Sequence, residues 1–473
     1  MPEKKLSIRQ TINVIARFAL IVAERQNAAI LKATAIACSD VYMSSILCYK
    51  KDSGIAYILD KGKYVREEAE LEEKSNKEAF EHAENLAEKS IRDFSDRREG
   101  LKEVTEKMRQ SINNAAKSFL REFFLYSPII VRFHNDVDGA SGAAAFCNAI
   151  NELELRYNMP RHEILYIPQR NVFYSSEDAE ADISFFKRFK FIGKGAIVNI
   201  DFGTSPESTE GIRKIESFEV FWIDHHPVEG FERKGIRHYL NPWLYKGDSN
   251  YTGGYLASKF VEAFSTANNK IFEEASLIGD FSVFANPTKE ARELAGAIDL
   301  LTTDKRFLKN PENGISPKEV LSLAEDEKRR KELFVIAEDR IEEAILASFG
   351  GMKEKYVNEC AIYTIDFDVL DDEVRYPGLG RFATKVYEKL SSLVKSKVVI
   401  IAYAGKYISI RADSSIRWFN SHRLIDELRS AGFKIETGGG HTHAGAIKAL
   451  YKEDVKDMAR FLSRTVEKIA RES

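Results

Sequence analysis

Apolar and polar positions along this chain change period several times, and each change marks a different kind of element. Between residues 7 and 37 apolar side chains recur at helical spacing, which predicts one or two helices. Ile55-Ala56-Tyr57-Ile58-Leu59 predicts a short strand, and Asp60-Lys61-Gly62-Lys63 a turn after it. From Glu67 to Leu125 the chain is charged, lacks proline and carries a single glycine, Gly100. Phe80, Ala87, Phe94, Leu101, Met108 and Ala115 recur there every seven residues, with Ile91, Ile112 and Phe119 between them. Such a stripe suits either a coiled-coil arm joining copies of the chain or a long helix packed on its own domain. Gly100 and Arg97-Arg98 mark a place where it could fold into a hairpin.

From about Pro128 the pattern alternates between strand and helix. Apolar runs at 129–133, 163–167, 196–200 and 219–223 are separated by helical stretches, among them Gly142 to Leu153 and Tyr255 to Phe264. Further helices are expected at 289–303 and 317–347. Repeated β–α alternation implies a mainly parallel sheet covered by helices. Gly350-Gly351 then marks a linker. Strands at 360–365, 398–403 and 407–411, with helices at 380–393, 420–430 and 453–471, predict a second, smaller α/β domain. The expected fold class is therefore α/β with a helical N-terminal region. The expected divisions are 1–125, 126–347 and 348–473.

The apolar runs end on acidic and histidine residues. His134-Asn135-Asp136-Val137-Asp138-Gly139 follows 129–133, Asp201 follows 196–200, and Asp224-His225-His226 follows 219–223. Asp280 follows the shorter Leu277-Ile278-Gly279. Groups at the carboxyl ends of neighbouring parallel strands converge on one crevice. Carboxylates with imidazoles in one crevice suit hard divalent cations, and two such ions can clamp the attacking and departing oxygens of a phosphodiester.

Composition narrows the setting. A chain of 473 residues is too long for one core and implies roughly two to four domains. With 44% hydrophobic and 30% charged residues it reads as an ordinary globular protein. The net charge of -3 carries no global nucleic-acid signal, so any anion binding must be local or metal-mediated. Cys38, Cys48, Cys147 and Cys360 are scattered, which suggests a reduced intracellular protein without structural zinc. Arg9, Arg17, Glu24 and Arg25 interrupt the N-terminal apolar stretches, so neither a signal peptide nor a membrane span is expected. The expected compartment is the cytoplasm.

Taken in order, His134-Asn135-Asp136-Val137-Asp138-Gly139, Asn199-Ile200-Asp201, Asp224-His225-His226 and Gly279-Asp280 resemble the motifs of the DHH phosphoesterase superfamily. Gly438-Gly439-Gly440-His441 with Ala444-Gly445 resembles the accessory domain of its DHHA1 subtype. The resemblance covers about residues 129–470. Bacterial RecJ proteins begin the first motif with Asp, whereas His134 stands here, which lowers the negative charge of the site by one. The family implies two divalent ions, Mn2+ favoured and Mg2+ the alternative. His134 and Asp136 would hold one with Asp280, Asp138 and His225 the other, and Asp201 would bridge. Asp224 and His226 would stand at the rim, orienting ligands or touching phosphate. Arg411 and Ser414, with Gly438, Gly439, Gly440 and His441, would bind substrate.

The whole chain looks most like archaeal RecJ-like nucleases, including the Hef-associated kind. That implies a single-strand exonuclease in DNA repair or replication, acting on DNA with RNA a further substrate class, and 3′→5′ in the polarity that some archaeal relatives show. The partners implied are single-stranded nucleic acid, a DNA helicase or other replication or repair protein, and further copies of the chain as a dimer or trimer. Two rivals stay open: a small-substrate phosphoesterase acting on short oligonucleotides, cyclic dinucleotides or phosphoadenosine phosphate, and a non-catalytic replication scaffold.

Overall fold

The structure, a computed structural model, describes residues 45–50, 55–96, 98–228, 230–304, 306–307, 314–370 and 375–473. Side chains are described from residue 76 onward, except at the masked positions within that range and at 440 and 441. The helices expected between 7 and 37 lie outside these residues. β1 (Ser45–Lys50) and β2 (Ile55–Asp60) form an antiparallel ribbon. Where a turn was expected after β2, the helix Lys61–Ser90 begins at once. The Glu-, Lys- and Ala-rich sequence that follows favours helix strongly enough to absorb Gly62 in its first turn.

A second helix, Glu99–Phe124, follows the break that contains Arg98. Its stripe residues Leu101, Met108, Ile112, Ala115 and Phe119 are buried. The Phe119 ring meets Phe146, Phe221, Phe260 and Phe264 at centroid distances of 5.1 to 5.9 Å. This part of the stripe is core of its own unit, the second of the two arrangements that its spacing suits. A side chain enclosed within one chain is not available as a seam between two.

Around that helix stands a five-stranded sheet: β3 (Ile129–His134), β4 (Ile164–Gln169), β5 (Ala196–Ile200), β6 (Glu219–Ile223) and β7 (His238–Leu240). The order is β4-β3-β5-β6-β7, and every pairing is parallel. Both faces are covered, as a parallel sheet requires. Ile130, Ile197, Val220 and Trp222 pack with Tyr174, Ala179, Phe185 and Ile212 on one face. Phe221 meets Phe119 and Phe260 on the other. The three-residue β7 is too short to show alternation, so sequence reading passes it by. Strand order reverses between β3 and β5, the place where an open α/β sheet leaves a crevice at its carboxyl edge.

Residues from 286 onward form a second compact unit, with which the turn 135–140 also groups. That turn joins β3 directly to the helix Val137–Arg156, so chain continuity holds it at the end of β3. The second unit has six strands: β8 (Lys353–Val357), β9 (Cys360–Asp366), β10 (Lys397–Ala404), β11 (Tyr407–Ala412), β12 (Ile435–His441) and β13 (Ala444–Ala449). Their order is β12-β13-β11-β10-β9-β8, with only β9 and β10 parallel. One face packs Val399, Ile401, Ile408 and Ile410 with Leu424, Met458 and Leu462. The other packs Tyr363, Ile365, Val398 and Ile400 with Leu300, Ala337, Ile341 and Phe382. Because Leu300, Ala337 and Ile341 belong to the helices Lys289–Thr303 and Glu327–Ser348, the expected division at 347/348 falls inside this unit.

Candidate metal centre

Asp201 follows β5 directly and adopts φ +64°, a left-handed backbone that few residues other than glycine tolerate. Its N–H donates to the Ile223 carbonyl at the end of β6, at 2.8 Å, so the sheet ladder continues into the site. The bend turns its carboxylate across the strand ends. Oδ1 lies 3.1 Å from His225 Nε2, and Oδ2 lies 3.7 Å from His134 Nδ1. Each oxygen of one carboxylate thus faces a different imidazole. Burial alone would raise the pKa of Asp201, but the two imidazoles, when protonated, outweigh it and hold the group well below the usual carboxylate range.

His225 is buried and anchored from behind. Its Nδ1 donates to the Ser249 carbonyl at 2.7 Å. In the neutral ring that bond leaves the lone pair on Nε2. Nε2 faces Asp201 Oδ1 at 3.1 Å and Asp280 Oδ2 at 3.2 Å. A lone pair aimed between two carboxylates is an arrangement that a cation stabilises, and a histidine oriented by a backbone carbonyl is the usual support for a metal-ligating ring.

Asp224 was expected at the rim and is instead fully buried. Oδ1 accepts from the His225 N–H at 2.8 Å, from the His226 N–H at 3.3 Å and from His226 Nδ1 at 2.7 Å. Oδ2 accepts from the Thr204 N–H at 3.0 Å. Burial raises its pKa, the charge and hydrogen bond of His226 together with the charge of His225 outweigh that, and the carboxyl is held below its ordinary value. The pKa of His226 moves the other way: loss of water around the inner edge of its ring lowers it, and the charge and hydrogen bond of Asp224 raise it above its ordinary value. Asp224 therefore positions the two histidines. His226, its side chain half exposed, presents its free edge outward.

Metal-capable atoms form three overlapping groups, each within 4.8 Å: Asp201, Asp224, His225 and His226; His134, Asp136 and Asp201; and Asp138, His225 and Asp280. All six expected ligands come together. Asp280, however, stands with Asp138 and His225 rather than with His134 and Asp136. It ends the helix Lys270–Gly279 rather than a strand. Gly253 makes the close approach possible, since a Cβ there would fall 2.5 Å from the Cβ of Asp201. Tyr251-Thr252-Gly253-Gly254 thus serves packing: Thr252 caps the helix Gly253–Glu262, whose first residue lies against Asp201.

In the second unit Arg411 sits on β11. Its guanidinium donates to Thr384 Oγ1 at 2.8 Å, Ser409 Oγ at 3.1 Å, Ile410 O at 2.8 Å and Gly380 O at 3.2 Å. None of these partners is a carboxylate, and burial pushes its pKa down to about 10. Ser414 lies exposed in the turn beyond β11. Gly438, Gly439 and Gly440 are part of the edge strand β12 and pair with Ile447, Ala446 and Gly445. His441 pairs with Ala444, and its side chain lies outside the described residues. His443 donates to the Ile416 carbonyl at 3.2 Å and stacks on Phe419. Arg170 is exposed and Tyr174 buried, the latter in the core with Trp222.

No protein-family model matches the chain. Among solved structures, one described as "Member of s1p family of ribosomal proteins PF0399 DHH domain" matches with a TM-score of 0.68, at 21% identity, over 85% of this chain and 99% of that one. The chain has the fold of a DHH-domain protein. A curated relative is an uncharacterized protein of Methanocaldococcus jannaschii, MJ1198, 24% identical over 76% of this chain and 54% of the relative. The chain thus spans about half the length of the curated relative it matches. A looser likeness joins it to RecJ in complex with Mn2+ from Thermus thermophilus, at 14% identity, over 79% of this chain and 56% of that one, with a TM-score of 0.42. In the DHH fold described here, the residues at the sheet's carboxyl edge are the candidate site. Among the described residues no helix is long and apolar enough to cross a membrane.

Proposed function

We propose that this chain is a two-metal phosphodiesterase that removes nucleotides from an end of single-stranded nucleic acid, DNA or RNA, in repair or replication. The observation that carries the reading is Asp201, whose two oxygens face His225 and His134 while three overlapping groups of metal-capable atoms surround it. Four carboxylates, Asp136, Asp138, Asp201 and Asp280, with the imidazoles of His134 and His225, make a donor set for hard divalent cations, Mn2+ before Mg2+.

Two such ions, when bound, supply Lewis acidity at both the attacking and the departing oxygen. The chain's own residues supply position. Ser249 fixes the tautomer and direction of His225. Asp224 fixes His225 and His226 through three hydrogen bonds and is itself held by the Thr204 N–H. His226, with its outward edge, is assigned to contact a phosphate oxygen. Arg411, a desolvated cation without a carboxylate among its described partners, is assigned to phosphate binding together with Ser414, Gly438, Gly439, Gly440 and His441. We assign 3′→5′ polarity and a place beside a helicase or other replication partner.

The test is a gel assay on DNA and RNA single strands, labelled at either end, with Mn2+ and with chelator. Stepwise shortening of a 5′-labelled strand that requires Mn2+ is expected. Cleavage of dinucleotides but not of long strands would move the assignment to a small-substrate phosphoesterase. No cleavage of any kind would leave a scaffold.

A further inference from the structure

The chain has three tryptophans, and they lie in different settings. Trp222 is wholly buried in β6, and Trp418 is packed against the core of the second unit. Trp243 is 41% exposed, with Leu244 beside it at 37%. Its exposure does not come from mobility, because the turn that carries it is held at several points. Trp243 lies in the 3-10 turn Pro242–Tyr245, whose first residue is a proline. Its backbone N–H donates to Asn241 Oδ1 at 3.0 Å, and Asn241 Nδ2 in turn donates to the His226 carbonyl at 3.0 Å. The indole Nε1–H donates to the His225 carbonyl at 3.0 Å. The Gly247 N–H closes the turn on Pro242 at 3.0 Å, and Tyr245 is tied to Ser111.

Both ends of this tryptophan, main chain and indole, are therefore bonded to the His225-His226 pair or to the residue that grips it. An aromatic ring left open to water gains nothing for stability from its exposed part. A rigid, exposed, flat ring is instead what a sequence-tolerant contact to a nucleobase requires. In a nucleotide the base is separated from its phosphate by one sugar. A phosphodiester held at His225 would bring such a base within reach of a ring anchored to the His225 carbonyl.

We infer that Trp243 is a base-stacking platform of the candidate metal centre, receiving the nucleobase next to the phosphodiester that lies at His225. The inference rests on the proposed phosphodiesterase reading and adds a specificity-determining residue to it. The substrate would be a nucleotide unit carrying its base, not a bare phosphodiester.

Two measurements test it. The first compares Mn2+-dependent cleavage of a thymidylate strand with that of the same strand carrying abasic residues at its ends, for wild type, Trp243→Ala and Trp243→Phe. Trp243→Ala should lower kcat/KM on the base-bearing strand by about tenfold to a hundredfold, mostly through KM. It should leave the abasic strand unaffected, and Trp243→Phe should retain most of the activity. An equal loss on both strands, or no loss on either, would overturn the platform. The second needs no catalysis: intrinsic fluorescence is titrated with a thymidylate pentamer in chelator. Quenching should occur in the wild type and largely vanish in Trp243→Phe, in which only Trp222 and Trp418 remain. Equal quenching in both proteins, or none in either, counts against the platform. Trp243-dependent quenching without any Mn2+-dependent cleavage would sink the phosphodiesterase reading and leave the platform standing.

Discussion

Gly253 lies so close to Asp201 that a Cβ on the glycine would sit 2.5 Å from the aspartate Cβ and 2.9 Å from its Cα. Asp201 already holds φ +64°, so it has little freedom to retreat. Gly253→Ala should therefore displace the central carboxylate of the site. Overpacking of this kind costs about 1–3 kcal/mol. Thermal denaturation with and without Mn2+ should show a lower Tm and a smaller increase on adding the ion than in wild type. An alanine variant with wild-type Tm and wild-type metal response would mean that the helix start at 253 does not set the position of Asp201.

Asp201 and Asp224 should respond differently to loss of charge. Asp201→Asn keeps the volume and removes the carboxylate shared between His134 and His225. It should abolish the Mn2+-induced increase in Tm, because a ligand stabilises only in proportion to its binding of the folded state. Asp224→Asn leaves every expected ligand in place and weakens only what orients His225 and His226. Its metal affinity, read by titration calorimetry, should fall about 10- to 100-fold. Wild-type affinity in the Asp201 variant would remove that residue from the centre.

Glu219, buried at the start of β6, has a pKa held down at about 2. Burial opposes the charge, and hydrogen bonds from His238 at 2.9 Å and Ser118 at 2.8 Å outweigh it. A carboxyl with a lower pKa in the folded than in the unfolded chain stabilises the fold above its unfolded value. That contribution fades as pH falls toward the folded value. Urea unfolding should thus show Glu219→Gln less stable than wild type by about 2 kcal/mol at pH 7, with the gap narrowing between pH 4.5 and 2. A gap that stayed constant over that window would show that the charge of Glu219 is not what stabilises.

The glycines of the second unit separate fold from binding. A Cβ at Gly445 would fall 2.9 Å from Ser421 Cβ, whereas at Gly439 it would meet nothing within 4 Å. Gly445→Ala should lower Tm, and Gly439→Ala should leave stability within about 0.5 kcal/mol of wild type. If β12 binds substrate through its backbone, Gly439→Ala raises KM at unchanged Tm. Unchanged KM as well would remove Gly439 from the substrate contacts.

Much of this protein is written locally. The runs at 129–133, 196–200 and 219–223 are continuous and apolar because a parallel sheet covered on both faces has no wet side, and they became β3, β5 and β6 with little change of boundary. The site residues other than Asp280 were legible for a related reason: they stand where those runs stop, at the edge where a carboxylate can exist without being enclosed by apolar side chains. Other features were not local. The seven-residue stripe of Glu99–Phe124 has the same spacing whether its partner is another copy or its own sheet, and only the packing of Phe119 against Phe221 and Phe260 decides between them. Gly438-Gly439-Gly440 carries no strand signal, and pairing with Ala444–Ala449 makes it one.

Sequence alone thus determined which residues end the strands, the α/β class and the list of groups that could bind a cation, because periodicity and residue chemistry are properties of neighbours along the chain. Which oxygen of Asp201 faces which imidazole, that Asp224 is a buried support rather than a rim residue, and that Asp280 joins Asp138 and His225 were decided only by the tertiary structure. Those relations join residues tens of positions apart, and their distances follow from sheet order and helix packing, which no local pattern encodes.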